Sequence, residues 1–433
     1  MSALSRRFLG LVVLLIFLVA FTIPSYAKVT INVWQPWGGD LGKWMEQLGQ
    51  EFEKTHPDID VVMVFAPNDL ESNQKFFAAV AAGTPPEVTF VDGPQVAEWA
   101  ERGMLAPLDE FVKKAKIKST EFFTPCWKQS YYKAHIWAMT YCADANFGFF
   151  WNKGVFKDAG LNPETPPVTI KQLDQYNEKI TKFDDRGNLV KIGIIPWYAY
   201  GSANMMHTWG WVFGGNFFDY KTNKFTLTNP KVVAALEWMV NSYAKKYDVA
   251  KIGGLMSGFG TAEQNPFIIG KMAMTPYGNW EIHNIETFAP KLEYGITTLP
   301  YPPGGEKSSS WVGGWTIAIP AGVKNQDAAW EFIRWVSDTP EGTDALVKLQ
   351  GFYPGYKNSP AFKEIAKDPR RAKFVEILQA SKHQRPVTPV TSLYMGELSR
   401  AVDAAIYGQK TPLQALQDCQ TTVQKELEKI LKK

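Results

Sequence analysis

Cysteine is nearly absent, with three residues in a chain of 433, and this excludes a small disulfide-built scaffold. Histidine is almost as sparse. Its five positions (His56, His135, His207, His283 and His383) show no H-E-x-x-H or other metal-ligand spacing, so no resident metal or cofactor is expected. No G-x-S-x-G nucleophile elbow occurs. The glycine-rich GGLMSGFG (253–260) does not follow a strand with dinucleotide-binding spacing and reads as a loop, and GGEKSSS (304–310) lacks the spacing of a phosphate loop. No Asp-rich loop of calcium-binding spacing is present. Neither charge is in excess: 46 basic residues face 43 acidic ones, whereas a nucleic-acid binder carries a clustered basic surplus. Repeats and low-complexity blocks are missing too, which excludes a solenoid.

The one long apolar run stands at the N-terminus. Arg6 and Arg7 precede Phe8 to Ile23, and Ser25-Tyr26-Ala27 supplies small residues for cleavage, the pattern of a secretory leader removed after Ala27. The run is short against the roughly 20 residues a spanning helix needs, and no cysteine lies near the junction to carry a lipid. The exported chain then has 406 residues (433 less 27), with 44 basic (46 less Arg6 and Arg7) against 43 acidic. That length exceeds what one core holds, so two domains are expected.

From Lys28 the pattern is strand, helix, strand, helix, strand. VTINVW (29–34), DIDVVMVF (58–65) and EVTFVD (87–92) are β-branched or apolar runs, separated by amphipathic stretches near 41–54 and 70–82. Such alternation predicts a parallel sheet with covering helices. Ligands gather beyond the carboxyl ends of strands in such sheets, here 35–39, 66–69 and 92–94. A second α/β pattern starts near Asn146, with FGFFWN and KIGIIPW as strands and helices near 170–182 and 230–246. TIAIP near 316–320 reads as a short strand, followed by helices at 327–336 and 343–349. A C-terminal helix begins at Thr411 and Pro412, and its stripe Leu413, Leu416, Cys419, Val423, Leu427, Ile430 makes Cys419 a buried thiol. Cys126 and Cys142 flank an aromatic segment; a bridge between them would contribute up to about 3 kcal/mol, and the sequence leaves that pairing open.

Aromatics are abundant: 16 Trp, 17 Tyr and 27 Phe. A large core uses many, and Phe149, Phe150, Trp238 and Trp330 are assigned to it. Trp37, Trp209, Trp211, Trp280, Trp315 and Tyr353 instead fall in turns or beside glycines, as in GKMAMTPYGNW (270–280) and SWVGGWTIAIP (310–320). A ring in a loop is disfavoured unless it meets a partner. The C–H face of a pyranose is such a partner, and covering about 50 Å² of it contributes roughly 1 kcal/mol. Its hydroxyl rim needs donors and acceptors, which Gln35, Asp92, Asp144 and Asn279 can supply.

Four segments in fixed order, AAGTPPEVTFVD (81–92), GKMAMTPYGNW (270–280), GGWTIAIPAGVKNQDAAWEFIRWV (313–336) and GFYPGYKNSPAF (351–362), resemble the extracellular solute-binding proteins of ABC sugar importers, of the maltose-binding-like type. The resemblance spans nearly the whole exported chain. It implies an α/β fold of two hinged lobes, discontinuous in sequence: 28–143 with about 298–350, and about 144–297 with 351–433. It implies no catalytic residues, and a cleft site of Asp92, Asp144, Trp280, Gly314, Trp315, Tyr353 and Tyr394, to which the loop position of Trp37 adds a further ring. Asp92 would bond sugar hydroxyls, Trp280 and Trp315 would stack, and Gly314 would contribute backbone. The implied partners are a carbohydrate and a membrane permease, with the protein acting as a periplasmic monomer. The tight turn that carries Asp-Gly-Lys in the family is Lys133-Ala134-His135 here. Two other readings share the export signal and the aromatics: a binder of a polyamine or a glycerol phosphate, and a secreted glycoside hydrolase, whose paired carboxylates need not be neighbours in sequence.

Overall fold

A computed structural model describes residues 28–68, 70–260, 262–307 and 311–432; the leader expected at 1–27 lies outside the described residues. The run Val29–Gln35 forms the first strand, and Ile59–Phe65 pairs with it in parallel from Val29↔Ile59 to Gln35↔Phe65. The connecting helix Gly39–Thr55 buries Met45, Leu48, Gly49 and Phe52, one face at helical spacing. Val88–Asp92 joins the other side, also in parallel. Two further strands complete this sheet, Trp315–Ala318 and then Met139–Thr140, both in antiparallel pairings. The register of the first is decisive for the site, because Trp315 lies directly opposite Asp92.

The second sheet centres on Gly148–Asn152, all five residues buried. Met274–Tyr277 and Tyr294–Thr297 flank it in antiparallel register. Helices around this lobe start with the expected chemistry. Thr169 and Gln172 form a capping box at Ile170–Ile180, and Asn229 and Thr411 cap helices whose first residues are Pro230 and Pro412. Each such cap contributes about 1 kcal/mol.

Two main hydrophobic cores result. One gathers Ile31, Phe90, Ile317 and Trp330; the other gathers Phe149, Phe150, Leu236 and Leu398. The chain passes between the lobes three times, side by side. Tyr141 N–H donates to the Trp315 carbonyl (2.9 Å), Ala143 N–H donates to the Tyr353 carbonyl (2.7 Å), and Asp144–Asn146 pairs antiparallel with Trp311–Gly313. The fold is therefore α/β with two lobes. The second pass lies at Gly313–Trp315, later than the position near 298 read from the sequence, because Leu299 and Trp311 still belong to the second core.

Two other elements differ from expectation. Within KIGIIPW only Lys191 belongs to a strand; the rest runs beside Met272–Met274, where the Gly193 carbonyl accepts from Met274 N–H at 2.8 Å. The first half of GGLMSGFG is helical, since Val249–Met256 forms a helix capped by Asp248, and only 257–260 is loop; the cap and the packing of Ile252 outweigh the propensity cost of Gly253 and Gly254. Lys133 and Ala134 both take positive φ (47° and 65°) in the two-residue turn of a hairpin, Tyr131–Tyr132 with His135–Ile136, so the turn keeps its left-handed geometry without glycine. Cys126, Cys142 and Cys419 are buried and unpaired.

Candidate functional site

The site is built where the carboxyl end of the first sheet faces the second lobe. Past Gln35 the chain turns at Pro36, and the Gln35 side-chain oxygen accepts the Trp37 N–H (2.7 Å). That bond holds Trp37 half-buried against Phe90 (5.2 Å), Trp315 (5.3 Å) and Phe352 (5.6 Å between ring centroids). Trp315 is brought beside it by the strand register, and Gly314 makes that approach possible. A Cβ at Gly314 would sit 2.1 Å from the Cys142 carbonyl oxygen, on a φ of +121°.

The opposing wall starts from GKMAMTPYGNW. Met274–Tyr277 is a strand, and Trp280 stands at the start of the helix Glu281–Phe288. A Cβ at Gly278 would lie 2.1 Å from the Trp280 indole, so glycine there leaves room for the ring. The Trp280 Nε1–H donates to the Tyr200 hydroxyl (2.7 Å), and Tyr200 stacks on Phe147 at 5.0 Å. Across the gap Trp44 meets His283 edge to face at 5.2 Å. The cavity so enclosed holds about 600 Å³, with Trp37, Trp44, Trp280, Trp315, Phe288 and Phe352 on its walls.

A more polar cavity of about 430 Å³ adjoins it and shares Trp37, Asp144, Trp280 and Trp315. Asp92 meets Arg385 of the second lobe at 2.5 Å, and the guanidinium lies over Trp311 at 5.1 Å. Five buried polar atoms on these walls have no partner among the described residues: the side-chain oxygens of Asn68, Asn146 and Asn204, one Asp144 oxygen and Arg385 Nε. Buried polar atoms are nearly always paired, with protein or water, so these five are the groups on these walls able to bond a polar ligand. Burial pushes the Asp144 carboxyl up to about 7; the Cys142 thiol and Arg385 oppose the shift, and Asp92 adds to it. Among the described residues no group of three or more His, Cys, Asp or Glu is arranged to hold a metal ion.

Of the residues singled out in the sequence, Trp37, Asp92, Asp144, Trp280, Gly314 and Trp315 come together on these walls. Two do not. Tyr353 is 2% exposed and donates its hydroxyl to the Arg371 carbonyl (3.0 Å), inside the second core; the neighbouring Phe352 faces the cleft instead. Tyr394 is fully buried in the helix Thr391–Ile406, bonded to His207 Nε2 at 2.7 Å. Trp209 and Trp211 are core residues of the helix Ser202–Val212. Sequence reasoning missed Arg385, Trp44, Asn146 and Tyr200. Trp44 is masked by its place on an amphipathic helix, and Arg385 in HQRPV carries no local signal.

Two α/β lobes joined by three adjacent chain passes, with an aromatic and polar cleft between them, define a two-lobe ligand-binding protein. The model of the bacterial extracellular solute-binding protein family matches residues 36–342, and the chain belongs to that family. It is 26% identical over 400 residues to the maltotriose-binding protein of Pyrococcus abyssi, covering 89% of this chain and 78% of that one. It is 28% identical over 308 residues to the sn-glycerol-3-phosphate-binding periplasmic protein UgpB of Salmonella typhimurium, covering 70% and 67%. Among solved structures, CpMnBP1 with mannotriose bound superposes with a TM-score of 0.80 at 30% identity, covering 92% of this chain and all of that one. No helix among the described residues is long and apolar enough to cross a membrane.

Proposed function

We propose that this protein captures an oligosaccharide between its lobes and presents it to the membrane permease of an ABC importer, without covalent chemistry. The observation that carries the reading is the cavity where five unpartnered buried polar atoms adjoin four indoles. Alternating C–H faces and hydroxyls of a sugar match that mixture, and the oligosaccharide-binding relatives support it. The moving bodies are 28–142 with 315–352 and 143–313 with 353–432, hinged at the three passes. Ligand that touches both lobes only when they approach stabilises the closed form by that difference in affinity. The leader is removed after Ala27, and the protein works as a monomer in the periplasm.

Glycerol phosphate is the second reading, favoured by Arg385 in the cleft and by the relationship to UgpB. Against it, Asp92 neutralises Arg385 at 2.5 Å and Asp144 stands on the same wall, so the cavity offers no net positive charge to an anion. A polyamine would require uncompensated carboxylates, and Asp92 is already paired. The test is calorimetric titration of the exported chain with mannobiose, mannotriose, maltose, maltotriose, glycerol 3-phosphate and spermidine, with product analysis after incubation. Saturable binding of a sugar without cleavage supports the reading. Binding of glycerol 3-phosphate or spermidine alone, or release of shorter sugars, overturns it.

A further inference from the structure

On the far side of Trp280 lies a third cavity, of about 400 Å³, within the size range of small-molecule sites. It belongs to the second lobe and is walled by Tyr198, Tyr200, Asn265, Glu281 and Asn284 around the Trp280 ring. It borders the cleft on two sides: Asn284 and Trp280 also line the larger cavity, and Tyr200 and Trp280 also line the polar one. Three spaces therefore meet at one indole.

The chemistry of this third space is specific. Glu281 is only 3% exposed, and its two carboxyl oxygens accept from Asn265 and Asn284, each at 3.0 Å. Burial pushes that carboxyl up to about 7, so near neutrality it offers a donor as well as acceptors. Tyr198 is half-buried, meets Phe259 edge to face at 5.5 Å, and its hydroxyl has no hydrogen-bond partner among the described residues. No lysine or arginine lines the space, which disfavours an anion. A single carboxyl already held by two amides disfavours a cation. A phenol, two amides and a carboxyl beside an aromatic face suit a neutral polyhydroxylated ring.

We propose that the cavity behind Trp280 is a carbohydrate subsite that takes a single-ring branch from the sugar held against Trp280, so that the ligand class is a branched oligosaccharide. The proposal rests on the carbohydrate reading of the cleft. A linear chain can occupy the two cleft cavities in sequence, whereas the third borders both at Trp280, the place from which a side substituent would enter it.

The experiment is isothermal titration of the exported chain with two matched pairs: mannotriose and galactosyl-mannotriose, and maltotriose and 6-O-glucosyl-maltotriose. The wild type should bind the branched member of one pair at least tenfold more tightly than the linear one. Tyr198→Ala should remove that preference while linear affinity stays within twofold, and Glu281→Gln should reduce it about threefold. Should Tyr198→Ala prove unstable by calorimetry, Tyr198→Phe removes only the hydroxyl and should lower branched affinity about threefold. Equal affinity for linear and branched sugars in the wild type overturns the proposal, as does equal loss for both in Tyr198→Ala. Trp280→Ala separates the two levels: if it leaves every sugar unaffected, or if none of the four sugars binds the wild type, the cleft reading itself fails and the branch subsite falls with it.

Discussion

Replacing Trp280 with alanine isolates one physical contribution. The ring lines both cleft cavities and is only partly buried, so a sugar face laid on it removes area from water on both partners. About 50 Å² from each gives about 100 Å², or roughly 2.5 kcal/mol at 25 cal/mol per Å². That corresponds to about 70-fold in Kd. The stability cost should be small by comparison. Trp280 loses one bond to Tyr200, but Tyr200 is 38% exposed and water can take the place of the donor, leaving about 1 kcal/mol and a fall in Tm of about 2 °C. Calorimetric titration is the proper assay, since the substitution removes a fluorescent reporter along with the contact. A Kd within threefold of wild type, in a variant that remains folded with only the small expected fall in Tm, would refute the assignment of Trp280 as the stacking platform.

Arg385→Met should weaken sugar binding at least 30-fold, because it removes a cleft donor and leaves Asp92 without its cation; the lost charge-assisted bond should also lower stability by about 1.5 kcal/mol, the low end of the range because the Asp92 side chain is 23% exposed. Gly314→Ala places a Cβ against the Cys142 carbonyl at φ +121° and should cost about 3 kcal/mol or more, read as a large fall in Tm. Asp144 gives a pH signature. Its folded pKa, raised from 3.8 to about 7, favours the neutral form in the fold, so its stabilisation is full below about pH 4 and is lost as pH rises through about 7. The Tm of the wild type should therefore fall between pH 5 and pH 8, and Asp144→Asn should flatten that slope only in part, because the raised carboxyls of Glu281, Asp338 and Asp174 act in the same sense while buried His207, held neutral, opposes them.

Much of the first lobe was legible because its signals are local. Apolar runs at 29–34, 58–65 and 87–92 are strands, and the glycines of GKMAMTPYGNW and SWVGGWTIAIP mark places where an indole meets a close backbone. What failed to show was of two kinds. Tyr353 and Phe352 are consecutive, and nothing local decides which ring turns to the cleft; the bond from Ala143 N–H to the Tyr353 carbonyl, a contact between distant segments, accompanies the outcome. Arg385 reaches Asp92 across almost 300 positions of chain, a pairing that only the assembled lobes define. Tyr394 shares a segment with Arg385 yet points to the opposite side, since its place in the first turn of a helix directs it to the core.

The interior position of Trp315–Ala318 in the first sheet has a consequence for biogenesis. That strand lies between Val88–Asp92 and Met139–Thr140, so the first lobe cannot close its sheet until residue 318 has been synthesised, long after its other strands. Such distant pairing is slow to form, and an emerging chain stays open over most of its length. Translocation machinery that threads unfolded polypeptide would meet a substrate still able to pass. A chain ending before Trp311 should remain protease-sensitive indefinitely, whereas one extended through the C-terminal helix should become resistant.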